Sequence, residues 1–326
     1  MENNFSSIND VLKELKKILQ PLQIEQQHKF KKSQYPLGFI VGNPRSGTTL
    51  FLQCLASLGC FSYPSNTLAR FAYAPYLGAL IQQMLYNKKF DPLNELNLND
   101  VDITFHSALG KSNGVLAPNE FQHFFRNYIN NYFPQYINKN EFDLINFESL
   151  LSGLASIEFV FNQPFVTKAM MIQYNLADFH QKIPNSIFFH IKRDPLYVMQ
   201  SIYQAREKYF GDITKWWSVK PKEYETLKNL DIYHQIAGQV YFTTKSIEHD
   251  LKEIPDKNKL VIEYEDFCLN PNKYAIEIEA KYFDNNCKIE LDKSKLQNFQ
   301  DSNKISISND DFDKLKEAYN TFKINH

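Results

Sequence analysis

The 326-residue chain has almost no net charge, and its few cysteines and histidines form no metal-binding pattern. Thirty-six lysines and arginines are balanced by 37 acidic residues, which gives a formal net charge of −1. Such a chain has no extended basic surface for DNA or RNA. The four cysteines include no C-x-x-C pair, and the eight histidines include no H-E-x-x-H pair. We therefore expect no nucleic-acid partner, no bound metal, and reduced, buried thiols.

Long hydrophobic runs are also lacking. No stretch approaches the 18 apolar residues of a transmembrane helix, and the first residues lack the basic-then-apolar pattern of a signal peptide. The sequence therefore predicts a cytoplasmic protein without a membrane span. Hydrophobic residues make up 43% of the chain and charged residues 22%, which is typical of a globular protein with a sizeable core. No sequence feature indicates an oligomeric state.

Buried-looking strands alternate with amphipathic helices along the chain, which predicts an α/β fold with a parallel sheet flanked by helices. The predicted strands are 37–41, 165–168, 187–191 and 260–263. The predicted helices are 7–20, 48–58, 70–86, 120–133, 147–161, 173–181, 196–209, 224–251, 271–283 and 310–322. We expect an N-terminal helix and connector over 1–34 and a single domain over 35–326, with a helix-rich insertion or cap at 70–160.

A P-loop-like segment follows the first predicted strand. Gly42 and Gly47 stand where the pattern G-x-x-x-x-G-K-[ST] has its glycines, and Thr49 stands at its hydroxyl position. The lysine position, which reads the β- and γ-phosphates of a triphosphate, holds Thr48 instead. Arg45 lies three residues earlier. The segment therefore indicates a site for a nucleotide-like anion other than ATP. The alternative is an ordinary strand–turn–helix junction.

The physical basis of this anion site is the start of a helix. Main-chain N–H groups there have no intrahelical acceptor, and the helix dipole favours negative charge. An arginine can grip two oxygens of one phosphate or sulfate, and short hydroxyls add donors. The predicted site comprises Pro44, Arg45, Ser46, Gly47, Thr48 and Thr49.

A second motif follows the strand at 187–191. Arg193 stands just beyond that strand, at the edge where open α/β sheets bind ligands. Asp194 and Pro195 suit the N-cap and first position of a helix, and Ser201 falls about two turns later. We interpret Arg193 as an anion-binding residue, with a surface salt bridge as the alternative.

Together the two motifs resemble those of the sulfotransferases that use 3′-phosphoadenosine 5′-phosphosulfate (PAPS). The segment GNPRSGTTL at 42–50 resembles the family's 5′-phosphosulfate loop in its arginine version, and Arg193 with Ser201 resembles its 3′-phosphate site. Tyr264 begins the segment YEDF, which with a following Asn-Pro is similar to a late strand and turn of the family. The resemblance extends from about residue 37 to about residue 283.

The resemblance implies transfer of a sulfuryl group from PAPS to a hydroxyl or amine, with adenosine 3′,5′-bisphosphate (PAP) as product and no metal required. Arg45 and Lys168, which ends the second predicted strand, are the residues expected to neutralise the transition state. A solvated lysine is the alternative for Lys168. The insertion at 70–160 is expected to build the acceptor pocket. The arginine version is typical of bacterial, tyrosyl-protein and carbohydrate branches, so the acceptor remains open among small molecules, carbohydrates, lipids and peptides.

The general base has two candidates. Glu120 lies in the segment APNEFQHFF, which resembles a segment of bacterial members of the family. A carboxylate in an aromatic pocket can accept a proton, and the alternative is a first-turn glutamate that favours the helix dipole. His106 is the second candidate because of its neutral-range pKa, with a structural role as the alternative. Trp216 and Trp217 either wall the pocket, form a lid over the cofactor, or are buried as anchors of a surface loop.

Two other classes of function remain open at this point. A nucleotide or nucleoside kinase would share the strand–loop–helix, but it would need a lysine at position 48 and an acidic Mg²⁺ ligand. Asp194 is a candidate for that ligand, but Pro195 directly after it suits a helix cap better. A non-catalytic protein would bind a 3′,5′-bisphosphate without transferring any group.

Overall fold

The computed structural model describes residues 5–98, 107–108 and 110–325. Within them, four parallel strands form one sheet and two short strands form a hairpin. The strands are β1 Leu37–Gly42, β2 Ser107–Ala108, β3 Lys111–Ser112, β4 Val166–Lys168, β5 Ser186–Lys192 and β6 Lys259–Glu263. The parallel sheet has the order β4-β1-β5-β6, and β2 pairs with β3 in antiparallel fashion. The predicted α/β fold with a parallel sheet is therefore confirmed.

Fourteen α-helices are present in the described part of the chain. They are α1 Ile8–Gln26, α2 Thr48–Ser57, α3 Asn66–Ala69, α4 Pro75–Tyr86, α5 Gln122–Phe125, α6 Lys139–Asp143, α7 Phe147–Phe161, α8 Leu176–Lys182, α9 Pro195–Phe210, α10 Tyr224–Leu227, α11 Ile232–Glu253, α12 Tyr264–Leu269, α13 Pro271–Asp284 and α14 Asn309–Asn325. Short 3₁₀ turns occur at Gln27–Lys29, Met170–Ile172, Asp256–Asn258 and Lys293–Lys295.

The two central strands, β1 and β5, are apolar on both faces because helices cover both faces of the sheet. Phe39 of β1 and Phe188 of β5 belong to one core, which they share with residues of α7, α8 and α11. Ile40 and Phe189 belong to a second core on the other face, which α2 and α13 complete. The strands run parallel, so their carboxyl ends meet at one edge of the sheet.

Two predicted helices are wrong. The first, at 120–133, shrinks to α5 because Phe121 adopts a left-handed conformation with φ 55°. In that conformation its buried ring stacks on Phe124 with a centroid distance of 4.8 Å, and its main-chain N–H binds the Asn119 side chain. The second, at 224–251, is divided into α10 and α11 because Asp231 caps a new helix start. Burial and capping thus override the local helical pattern.

The N-terminal helix α1 packs against the rest of the chain. The Gln23 side chain is buried and accepts a hydrogen bond of 3.0 Å from the main-chain N–H of Tyr76 in α4. After the helix, the Phe30 ring lies 4.9 Å from Tyr76 and 5.3 Å from Phe159 of α7. The proposed division at residue 34 stays a prediction. No helix in the described ranges combines the length and the apolar character needed to cross a membrane.

All four cysteines are free thiols, as expected for a chain without disulfide patterns. Cys54, Cys268 and Cys287 are buried, whereas Cys60 is only half-buried. Within the described residues, no group of three or more histidine, cysteine, aspartate or glutamate side chains could hold a metal ion.

Candidate functional site

The turn between β1 and α2 lies at the carboxyl edge of the sheet and leads directly into helix α2. Ser46 and Thr48 are buried in it, and α2 begins at Thr48. Gly47 has φ 99°, a region that residues other than glycine rarely adopt. A Cβ atom at Gly47 would lie 2.4 Å from Cδ2 of Tyr264, so the Tyr264 ring packs directly on the glycine. The loop therefore presents the helix N-terminus beside an aromatic wall.

Arg193 connects four parts of this edge. Its Nη1 donates to the main-chain carbonyl of Arg45 at 2.9 Å. Its Nε donates to Oδ1 of Asn303 at 2.8 Å, and its Nη2 donates to Oγ of Ser302 at 3.1 Å. The guanidinium also lies 4.9 Å from the centre of the Tyr264 ring. Every partner is neutral, so the charge of Arg193 is held in place but not cancelled by these contacts.

Arg45 and Ser201, which sequence analysis assigned to two separate motifs, are in direct contact. Nε of Arg45 donates a hydrogen bond of 2.9 Å to Oγ of Ser201. Burial and the neighbouring charge of Arg193 lower the pKa of Arg45, which still remains a cation at neutral pH. The loop after β1 and the short segment between β5 and α9 thus supply two neighbouring arginines to one site, and α9 adds Ser201.

Lys168 ends β4 and is the third cation at this edge. Its Nζ donates to Oγ1 of Thr49 at 3.0 Å and forms an ion pair with Oε1 of Glu120. The Lys168 side chain is only 5% exposed, whereas that of Glu120 is 34% exposed. The alternative of a solvated lysine is therefore wrong. Because the pair joins the segment before α5 to the P-loop-like turn, Glu120 is fixed beside the predicted anion site.

A cavity of about 630 Å³ opens above these residues. Part of its lining comes from the predicted anion site and its surroundings: Pro44, Arg45, Gly47, Thr48, Thr49, Arg193, Tyr264 and Ser302. Another part is mainly aromatic and cationic: Lys111, Arg126, Tyr132, Phe133, Tyr209, Phe210, Trp216 and Trp217. Glu120 and Lys168 line the same cavity. By their chemistry, we call the first set of residues the polar end of the cavity and the second set its aromatic end.

The polar end suits a ligand with two separated anionic groups. Ser46 is 1% exposed, and its Oγ has no hydrogen-bond partner in the described part of the chain. Arg45 and Arg193 supply two guanidinium groups without an acidic partner in the described residues. A helix N-terminus, a hydroxyl and two arginines are groups that are able to bind phosphate or sulfate.

Asp194 does not serve as a metal-ligand candidate in this fold. Its Oδ1 accepts a hydrogen bond of 2.8 Å from the main-chain N–H of Leu196, and Pro195 occupies the first position of α9. The carboxylate is therefore used as a helix cap. Asp194 is therefore not available as the acidic Mg²⁺ ligand that a kinase would need.

Trp216 and Trp217 correspond to two of the predicted roles, a wall of the pocket and an anchor of a loop, while the role of a lid stays a prediction. Each is half-buried and lines the cavity. Nε1 of Trp216 donates to the Val219 carbonyl at 3.0 Å, and the main-chain carbonyl of Trp217 accepts from Gln239 at 2.8 Å. The tryptophans therefore form a wall of the cavity that is anchored to its own loop and to α11. His106 lies outside the described residues.

Several residues of the site were missed by sequence analysis. Ser302 and Asn303, which orient Arg193, lie in a loop about 110 positions later that carries no motif. Gln122 and Arg126 extend the hydrogen-bonded chain from Glu120. Two adjacent aromatic pairs, Tyr132–Phe133 and Tyr209–Phe210, supply much of the apolar wall. Both pairs stand at the ends of predicted helices, 120–133 and 196–209, which begin at or next to candidate site residues.

Comparisons with known proteins agree on one family. A family described as the sulfotransferase family matches residues 36–281 of the chain. Among solved structures, sulfotransferase STF9 from Mycobacterium avium has a TM-score of 0.56 at 11% identity, covering 94% of this chain and 81% of that one. Sulfotransferase STF1 from Mycobacterium tuberculosis H37Rv has a TM-score of 0.52 at 12% identity, covering 94% and 76%. No curated protein matches the sequence. At these identities the two structures show a shared fold.

Proposed function

The chain belongs to the sulfotransferase family, and on that premise we propose that it transfers a sulfuryl group from PAPS to a hydroxyl or amine of an acceptor. The observation that carries the proposal is the junction of Arg45, Ser201 and Arg193. Two arginines from different motifs meet at one helix N-terminus, and neither is neutralised by an acidic residue in the described chain. This geometry fits a donor with anionic groups at both ends better than it fits a triphosphate.

The residues that would hold the donor divide into two groups. The turn at 44–49 would bind the phosphosulfate through main-chain N–H groups, hydroxyls and Arg45. Arg193 and Ser201 would bind the 3′-phosphate, with Tyr264 beside them. Charge-assisted hydrogen bonds of this kind are roughly twice as strong as neutral ones. When bound, the donor supplies the sulfuryl group and a phosphate leaving group.

The residues that surround the point of transfer each have a distinct task. Glu120 accepts the proton of the acceptor group as a general base. Lys168 and Arg45 provide positive charge next to the oxygens on which negative charge develops. Because Lys168 is buried and holds both Glu120 and Thr49, it also fixes the base relative to the anion site. The aromatic end of the cavity would hold the body of the acceptor and exclude water.

Thermal unfolding with separate ligands tests the donor. We expect PAP to raise the melting temperature, since a ligand at about a hundred times its dissociation constant adds roughly 2.7 kcal/mol. AMP should raise the melting temperature less than PAP does, and ATP with Mg²⁺ should not raise it to a comparable extent. Arg193→Ala should abolish the PAP shift. Lys192→Ala is the matched control. Lys192 is the last residue of β5, directly before Arg193, but it pairs with Glu248 and does not line the cavity.

Stabilisation by ATP and Mg²⁺ alone would contradict the proposed donor and support a kinase. Stabilisation by PAP without release of PAP from PAPS, in the presence of a broad set of phenols, alcohols, sugars and amines, would support a non-catalytic binder. Release of PAP that depends on both PAPS and an acceptor supports the full proposal.

A further inference from the structure

A guanidinium at the aromatic end of the cavity has no assigned partner. Resting on the proposed function, we propose that the acceptor is an anionic amphiphile. In this proposal its hydroxyl and a carboxylate or equivalent anion lie a few bonds apart, the anion binds Arg126, and an apolar body lies between the aromatic walls.

Arg126 is held in place by neutral side chains. Its Nη2 donates to Oε1 of Gln122 at 2.9 Å, and the guanidinium lies 4.3 Å from the centre of the Tyr132 ring. Its Nε atom is buried and has no hydrogen-bond partner among the described residues. Within the same part of the chain, no acidic side chain is within salt-bridge distance of it; burial lowers its pKa, and the more distant charge of Glu120 opposes that shift. A half-buried cation with a free donor in a cavity wall is costly unless a ligand supplies the missing charge.

The donor is not the natural partner of Arg126, because a chain of contacts separates the two. Thr49 of the P-loop-like turn binds Lys168, and Lys168 pairs with Glu120. Nε2 of Gln122 then donates to Oε2 of Glu120 at 2.6 Å, and Gln122 in turn binds Arg126. Arg126 thus follows Lys168, Glu120 and Gln122 in this chain of contacts and is the member farthest removed from the turn in the order of hydrogen bonds.

The same chain limits the spacing of the acceptor groups. Glu120 and Arg126 are separated by one side-chain amide and its two hydrogen bonds. A hydroxyl that reaches Glu120 and an anion that reaches Arg126 must therefore be close together in the acceptor, as in a 2- or 3-hydroxy acid. Because Lys168 neutralises Glu120, the acceptor anion is not repelled by an unpaired carboxylate.

The surrounding walls specify the rest of the molecule. Tyr132 and Phe133 pack edge to face at 4.8 Å beside Arg126, and Tyr209 at the end of α9 lies 5.7 Å from Trp217. These rings offer a large apolar area in the cavity wall. An alkyl or aryl body can pack against them.

Three probes with the same ten-carbon chain test the proposal. They are 3-hydroxydecanoate, its neutral amide, and 10-hydroxydecanoate, which is an isomer with the hydroxyl far from the carboxylate. PAP release from PAPS gives kcat/KM for each, and calorimetry on the PAP-saturated protein gives binding without turnover. We expect both kcat/KM and the association constant of 3-hydroxydecanoate to be at least about tenfold higher than those of the other two probes.

Variants connect the preference to one side chain. Arg126→Gln should reduce kcat/KM for 3-hydroxydecanoate to the level of its amide while leaving the amide within about threefold of wild type. Arg126→Lys should keep part of the preference. The control is Lys222→Gln, which removes one positive charge from a lysine that stacks on Tyr136 outside the cavity. This variant should leave kcat/KM for both acceptors unchanged.

The outcomes separate the inference from the function on which it rests. Equal use of the acid and its amide, or a preference that survives in Arg126→Gln, overturns the inference and leaves sulfuryl transfer intact. An equal loss for both acceptors in Arg126→Gln assigns Arg126 a structural role and also overturns it. No PAP release with any acceptor, together with no stabilisation by PAP, overturns the inference and the proposed function together.

Discussion

Nη1 of Arg193 donates a hydrogen bond of 2.9 Å to the main-chain carbonyl of Arg45, so one arginine holds the loop that carries the other. Arg45 has φ 71°, a conformation that costs a non-glycine residue free energy. The contact from Arg193 helps to offset that cost. The two arginines therefore form one unit in which the second motif supports the geometry of the first.

Arg193→Lys should weaken PAP binding strongly although the charge is retained. A lysine cannot donate to Arg45, Ser302 and Asn303 at once, because its ammonium lacks the planar fork of arginine. We expect the dissociation constant of PAP to rise about 10- to 100-fold, which corresponds to about 1.4–2.7 kcal/mol. Calorimetry with PAP measures the effect, and an unchanged dissociation constant would show that only charge matters at this position.

Gly47→Ala should damage the donor site, whereas Gly211→Ala should not. Both glycines have positive φ, at 99° and 60° respectively. A methyl group at Gly47 would collide with the Tyr264 ring, while one at Gly211 meets nothing within 4 Å. We expect PAP affinity to fall at least about tenfold in Gly47→Ala only, with a loss of stability in both variants of about 1 kcal/mol or more from the backbone alone. Thermal unfolding with and without PAP separates the two effects.

Glu120→Gln should lower kcat by about 10²–10⁴-fold, the usual contribution of a general base. The dissociation constant of PAP should change little, because Glu120 contacts the donor site only through Lys168. Steady-state rates with a fixed acceptor give kcat, and calorimetry gives the PAP affinity.

The dependence on acceptor acidity provides the control for this prediction. An acidic phenol is already ionised at neutral pH and needs no base, so Glu120→Gln should lose far less activity with 4-nitrophenol than with an aliphatic alcohol. An equal loss with both acceptors would contradict the role of Glu120 as a base and assign it a positioning role for Lys168.

Glu158→Gln should stabilise the protein at alkaline pH. Burial raises the pKa of Glu158 to about 7, while its Oε2 accepts hydrogen bonds from the Ser33 side chain and the Gln34 main chain. The folded state therefore binds a proton that the unfolded state releases, and stability falls as pH rises from about 4.5 to about 7. We expect Glu158→Gln to add about 1–3 kcal/mol at pH 8 and little at pH 5.

Denaturant unfolding at both pH values measures the difference. Glu148→Gln, on the exposed first turn of the same helix α7, is the matched control and should change the free energy of unfolding by less than about 1 kcal/mol at either pH. An equal effect of Glu158→Gln at pH 5 and pH 8 would contradict a titrating carboxyl at this position.

The sequence was sufficient to predict the sheet and the P-loop-like turn because both depend on local patterns. The apolar runs at β1 and β5 differ from the predicted strands by one residue at either end, and helix α7 begins and ends as predicted. Neither motif alone predicts the contact of Arg45 with Ser201. It follows from the parallel pairing of β1 with β5, which brings the ends of both strands to the same edge.

The residues on the acceptor side of the cavity could not be predicted from local sequence patterns. The pattern at 120–133 is helical, and a helix would place Glu120 and Gln122 on different faces. The left-handed turn at Phe121 brings both side chains to the same hydrogen-bonded chain, and the burial of that ring is a property of the folded core. Arg126 therefore becomes a site residue only through tertiary packing.

The loop that orients Arg193 lies beyond the part of the chain that carries the family pattern. The family match ends at residue 281, whereas Ser302 and Asn303, together with the helix α14 that packs on α9 and α11, come later. A protein trimmed to the residues of the family match would keep every motif residue and lose two hydrogen-bond acceptors of Arg193. The segment that the family match covers is thus shorter than the segment that must be inherited, transplanted or expressed to keep Arg193 oriented.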